Sequence, residues 1–167
     1  MANTFTLIEA KTLSTTTASI TFTSIPQTYT DLLIKFSTRD NAGSYINNMN
    51  ININESASNF AARTIMLLGG GLSSGTETTN LAFSTSATAT ANTFTNGEVY
   101  FPNYTLSNYK SYSADSASEN NSATNTGAIY ESGLWSNTAA ITSITFTPTS
   151  ASFVAYSTFE LYGIKNS

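Results

Sequence analysis

The sequence predicts an all-β protein, an antiparallel two-sheet jelly-roll sandwich of roughly 8–10 strands. Three observations lead there. Short segments alternate apolar and polar residues with a period of two, separated by turn residues at the spacing of sandwiches and barrels. No long helical pattern interrupts them. The two ends of the chain carry strongly apolar strands, as a jelly roll requires if its first and last strands are to lie close together. Residues 1–167 read as a single β-sandwich domain, with 1–6 either an N-terminal arm or part of the first strand.

Thr4 to Glu9 is the first strand, and Lys11 to Thr17 a polar connection. Ala18 to Ser24 follows, with Ile20 and Phe22 facing inward. Asp31 to Thr38 holds the continuous apolar run Leu32-Leu33-Ile34, which suits a central strand covered on both faces. Tyr45 to Asn54 sets Met49, Ile51 and Ile53 against an asparagine face. Glu55 to Ala62 reads either as a short helix or as a loop entering a strand at Arg63 to Leu68, and the loop is the preferred reading. Gly69 to Gly71 ends that strand, and Leu72 to Thr79 is expected to be a flexible polar loop.

Asn80 to Ser84 is a short strand, and Thr85 to Asn92 a low-complexity segment. Asn96-Gly97 predicts a tight hairpin turn, because both residues tolerate positive φ. Glu98 to Phe101 would return from it, with Val99 and Phe101 inward. Tyr109 to Ala114 is a strand, Asp115 to Asn125 an exposed loop, and Gly127 to Trp135 a strand with Ile129 inward. The chain closes on two strands, Ile141 to Phe146 and Phe153 to Ile164, the last expected in the middle of a sheet. ITFTSIP at Ile20–Pro26 and ITFTPTS at Ile144–Ser150 echo one another, although one echo does not make a repeat.

Composition narrows the function. Charged residues make up 10% of the chain, against a usual figure of about 25%, and Ser, Thr and Asn take their place. Ten Phe, nine Tyr and one Trp supply a core. The chain has no cysteine, so no disulfide or thiolate site, and no histidine, the commonest general base and zinc ligand. A net charge of −4 with only six Lys and Arg disfavours nucleic acid as a partner. No apolar run is long enough for a membrane helix. MANTFTLIEA lacks the features of a signal peptide, so synthesis in a cytoplasm is expected.

No enzymatic activity is expected and no cofactor or metal is assigned. A glycosidase needs two carboxylates across a cleft, and Glu98 and Glu131 lie in strands that could approach. The plainer reading makes both of them solvent-facing. No G-x-S-x-G motif occurs, and Gly69-Gly70-Gly71 lacks the tail of a phosphate loop. Arg39-Asp40-Asn41 with Asn47 and Asn48 offers oxygens to a calcium ion, with an Asx-type turn as the preferred alternative. Tyr100, Tyr104, Tyr109, Tyr112 and Trp135 could stack on sugar rings, or plug the core or a subunit interface.

Tyr29-Thr-Asp-Leu-Leu-Ile-Lys-Phe-Ser-Thr-Arg, preceded by Ser24-Ile-Pro-Gln-Thr, resembles the opening of a group of small tailed-bacteriophage virion proteins. The resemblance continues at Phe101-Pro-Asn-Tyr-Thr-Leu-Ser-Asn-Tyr-Lys-Ser, Ile141-Thr-Ser-Ile-Thr-Phe and Ser157-Thr-Phe-Glu-Leu-Tyr-Gly-Ile. It departs at Asn54-Glu-Ser-Ala-Ser-Asn-Phe, where the group usually reads like Asn-Gly-Asp followed by Ser-Asn-Tyr. It implies a structural protein of the virion exterior that cements or decorates the capsid. Its partners would be the major capsid protein and itself, as a homotrimer, with no nucleic acid and no membrane. The alternative is a tail-fibre or tail-tip module that binds host surface glycan. A third reading is a carbohydrate-binding domain accompanying an enzyme.

Overall fold

The computed structural model describes residues 4–78, 80–122 and 124–165. Among them are twelve strands and no helix. In chain order they are β1 (Phe5–Thr12), β2 (Ile20–Phe22), β3 (Asp31–Thr38), β4 (Ile46–Ile53), β5 (Phe60–Leu68) and β6 (Gly71–Glu77). There follow β7 (Asn80–Thr85), β8 (Thr95–Phe101), β9 (Lys110–Ser118), β10 (Gly127–Trp135), β11 (Ile144–Pro148) and β12 (Thr158–Ile164). An eight-stranded sheet has the order β1-β12-β3-β8-β9-β10-β5-β6, and a four-stranded sheet the order β2-β11-β4-β7. All ladders between these strands are antiparallel.

Eight of the strands pair from the outside of the sequence inward: β1 with β12, β2 with β11, β3 with β8, and β4 with β7. This is one long antiparallel ribbon wound across two sheets, which is the jelly-roll topology. The other four strands are insertions. The β5–β6 hairpin enters between β4 and β7, and β9–β10 between β8 and β11. Both join the same sheet and widen it. The echo noted in the sequence has a structural meaning, because its two copies are ribbon partners. Ile144 faces Phe22, Thr145 faces Thr21, and Phe146 faces Ile20.

The core lies between the sheets. Phe22, Ile34, Ile51, Phe101, Phe146 and Phe159 are fully buried there. Phe146 stacks on Phe159 with centroids 5.4 Å apart, and Phe153 meets the same ring edge-on at 5.1 Å. β12 runs between β1 and β3, and β3 between β12 and β8, so both of these apolar strands are central. Phe5 and Thr6 belong to β1 and pair with Ile164 and Gly163; Met1 to Asn3 lie outside the described residues.

Several local expectations are corrected. The stretch expected as a loop from Leu72 is strand as far as Glu77, since Gly71–Glu77 forms edge strand β6; Thr79 lies outside the described residues. Gly69 and Gly70, at φ 55° and 85°, make the two-residue turn that folds β6 back on β5. An exposed edge strand needs no inward apolar face, so the polar sequence hid it. Asn96-Gly97 is not a turn but lies inside β8, paired with β3 and β9. A Cβ on Gly97 would sit 2.3 Å from the Asp115 carbonyl oxygen and 2.4 Å from Phe36 Cζ. The glycine therefore serves close packing, not a bend. β9 continues to Ser118, into the segment expected to be loop, and β5 begins three residues early, at Phe60. The last strand begins only at Thr158, and Phe153 makes isolated bridges to Thr17 and Asp40. The low-complexity segment after β7 is held by Arg39, whose guanidinium donates to the carbonyls of Thr90, Thr93 and Ala89 at 2.9, 3.0 and 3.1 Å.

Candidate functional site

The period of two decides which residues the wide sheet displays. On β10, Ile129, Glu131, Gly133 and Trp135 point into the sandwich, leaving Ala128, Tyr130, Ser132 and Leu134 on the outer face. The registers carry this alternation across the sheet. One cross-strand row runs Glu160, Lys35, Glu98, Asp115, Tyr130, Ile65. A second runs Leu7, Tyr162, Leu33, Tyr100, Ser113, Ser132, Arg63.

The outer face is apolar at both ends and charged in the middle. At one end Tyr130, Ile65, Leu67 and Leu72 are 64, 56, 39 and 76% exposed. At the other, edge strand β1 presents Phe5 and Leu7, 56 and 52% exposed. Between them Lys35 Nζ lies 3.5 Å from Glu98 Oε2, and Asp115 stands directly across from Glu98. Burial, then the Glu98 charge, pushes the Asp115 carboxyl above its ordinary pKa, against the Glu98 backbone N–H and Lys35. A shallow trough of about 410 Å³ opens here, lined by Lys35, Asn96, Glu98, Asp115, Ala117 and Tyr130.

The five aromatics singled out in the sequence do not converge. Tyr104, Tyr112 and Trp135 are buried among core side chains. The Tyr104 hydroxyl donates to the Pro26 carbonyl, and Trp135 packs against Phe60 with centroids 6.5 Å apart. Tyr100 lies half-buried on the outer face and donates to Asp31 Oδ2 at 2.9 Å; burial and then this carboxylate raise its pKa. Only Tyr109, 56% exposed, stands in solvent. Tyr130, the most exposed aromatic of the wide sheet's strands, was not among them. Its signal was present in the alternation of GAIYESGLW: with Ile129 inward, Tyr130 must face out.

Glu98 and Glu131 lie on opposite faces of the wide sheet, so they cannot flank one bond. The expectation that Glu131 faces solvent is overturned, for it is 4% exposed and points into the sandwich. Burial pushes its carboxyl up to about 8, with a hydrogen bond from Tyr112 lowering it and the Glu77 charge raising it. The Tyr112 phenol is raised in turn, mainly by its own burial and then by Glu131. At the position considered for calcium, the oxygens already accept hydrogen bonds. Asp40 Oδ1 accepts from the Ala42 N–H at 2.9 Å and the Ser86 hydroxyl at 2.7 Å, and Asn41 Oδ1 from the Ser152 N–H at 2.9 Å. This is the geometry of an Asx turn tying loops together. Among the described residues no three carboxylates gather in a way that could hold a metal ion.

The remaining buried charge is Lys110. Its ammonium donates to the carbonyls of Leu106 and Asn108, both at 2.6 Å, and Thr138 at 3.4 Å, while desolvation lowers its pKa. Every contact it makes joins loops to one another, which is structural work. Apart from Leu106, Tyr109 and Tyr156 in loops, the large apolar side chains left exposed among the described residues are those of the outer face. Comparison with protein-family models, with curated proteins and with solved structures finds no match to this chain.

Proposed function

We propose that this chain is a non-catalytic virion protein that decorates a bacteriophage capsid and cements it by bridging neighbouring major capsid protein subunits. One observation carries the reading: a single sheet face bears two exposed apolar patches at opposite edges, Phe5 and Leu7 on β1 and Ile65, Leu67 and Leu72 on β5 and β6. At about 4.8 Å per strand they lie roughly 30 Å apart. Neither is large enough alone for a stable interface. Engaged together on two neighbouring subunits, they gain by effective concentration what each lacks in affinity. The resemblance of the strand blocks to phage virion proteins supports the same reading, as does the use of jelly rolls in viral shells, by fold analogy. The glycan-binding alternative has less support, because Tyr104, Tyr112 and Trp135 are buried.

The test is the copy number of this chain in purified particles, measured by quantitative mass spectrometry against the major capsid protein. Hundreds of copies are expected for a cement, on the order of one per lattice contact. A handful per particle would move the protein to the tail or a single vertex, and absence from particles would end the virion reading.

A further inference from the structure

We infer that the trough beside Tyr130 is a binding site for a guanidinium group, supplied as an arginine side chain of a protein partner. The walls make the case. Glu98, Asp115 and Tyr130 occupy consecutive cross-strand positions on β8, β9 and β10, so carboxylate, carboxylate and phenol ring stand side by side. Directly opposed residues on antiparallel strands have Cβ atoms about 5 Å apart, and like charges placed so repel. Lys35 approaches Glu98 from β3, on the far side from Asp115, at 3.5 Å. Lys35 lines the trough as well and offsets one of the two carboxylates, so a net negative charge is left beside the exposed ring.

The floor is low because Ala117 and Ala128, paired across β9 and β10, carry the smallest side chains. A planar group can lie flat against them. The trough, about 410 Å³, exceeds the size of one arginine side chain. Guanidinium suits these walls better than other ligands. It forks onto a carboxylate, stacks on an aromatic face and sheds its water readily, whereas an ammonium is compact and tightly hydrated. A sugar needs donors as well as acceptors. Donors are present in Asn96, the Tyr130 hydroxyl and Lys35, so charge decides: a neutral sugar gains nothing from two carboxylates set against one ammonium. The inference stands apart from the virion reading. If that reading holds, the arginine belongs to the shell subunit; if it fails, the trough keeps its chemistry.

The experiment is a titration of the isotope-labelled full chain with Nα-acetyl-arginine amide, followed by amide chemical shifts. Parallel titrations use Nα-acetyl-lysine amide and methyl glucoside. Saturating shifts are expected at Gly97, Ala117 and Tyr130, with the lysine probe at least about tenfold weaker. Asp115→Asn should abolish them, Tyr130→Leu should weaken them, and Ser132→Ala, one row away, should leave them unchanged. Thermal melts of each variant check that it is folded. Equal binding of the two cations, binding of the glucoside instead, no localised shifts, or retained binding in folded Asp115→Asn would each overturn the proposal.

Discussion

The Tyr112 hydroxyl donates a 2.8 Å hydrogen bond to Glu131 Oε1 inside the sandwich, passing over the position of Gly133, where a Cβ would sit 2.0 Å from Tyr112 Cζ. The missing side chain of one strand is the space through which its neighbour reaches. The carboxyl so reached is pushed up to about 8 by burial. Unfolded, it would titrate near 4.3. Between these values the folded chain holds a proton that the unfolded chain releases. Stability should therefore be highest at the acid end of that window, fall as pH rises through it, and level off above about 8. Glu131→Gln keeps an acceptor for Tyr112 and removes the linkage. Urea melts from mildly acid to mildly alkaline pH should show a flatter profile for the variant and a higher midpoint than the parent around pH 9. Parallel profiles would show that the carboxyl is not the titrating group.

Gly97→Ala should destabilise by about 1–3 kcal/mol or more, because the added methyl meets the Asp115 carbonyl and the Phe36 ring, one of them backbone. Gly43, with nothing within 4 Å of its would-be Cβ, is the control. Its alanine variant should stay within about 0.5 kcal/mol of the parent. Chemical denaturation of the two variants side by side decides the matter.

Lys110→Met fills a similar volume but abandons three carbonyls. A loss of about 2 kcal/mol or more is expected from hydrogen bonds to a charged donor and from leaving buried acceptors unpaired. Increased proteolysis in the segments before β9 and after β10, which these bonds tie together, would accompany it. A variant as stable as the parent would mean that water replaces the ammonium without cost.

Phe5→Ser and Leu72→Ser alter exposed side chains at opposite edges of the wide sheet. Each should leave monomer stability within about 0.5 kcal/mol. If the two edges engage neighbouring subunits, each single variant should show reduced occupancy on purified empty shells and the double variant almost none, as expected when an intramolecular second contact is lost. Full occupancy of the double variant would remove the bridging geometry.

Much of the fold is legible because ribbon partners advertise themselves in sequence. Ile20-Thr-Phe and Ile144-Thr-Phe are both short, β-branched and aromatic, and they lie side by side, with the Thr21 and Thr145 hydroxyls 2.9 Å apart. Leu32-Leu33-Ile34 likewise marks its own central place. What the sequence hides are features that arise between strands. Gly97 looks like a turn because its real partners, Phe36 and Asp115, are distant in sequence. β6 looks like loop because its backbone hydrogen bonds to β5, not its side chains, hold it. Glu131 reads as a surface acid by its charge, although alternation with Ile129 and Trp135 puts it inside. The same alternation turns its neighbour Tyr130 outward, where it forms one wall of the trough.

The width of the larger sheet has a mechanical consequence. A pull transmitted from β1 to β6 runs across the strands and crosses every ladder of the eight-stranded sheet in series. Links in series bear the same tension, so the weakest sets the limit. Of the two edges, β6 is the less supported: five of its seven residues are exposed, against four of eight in β1, so the β5–β6 hairpin is the expected weak link. Under load the molecule should part there first, peeling one hairpin while the wound ribbon behind it stays shut.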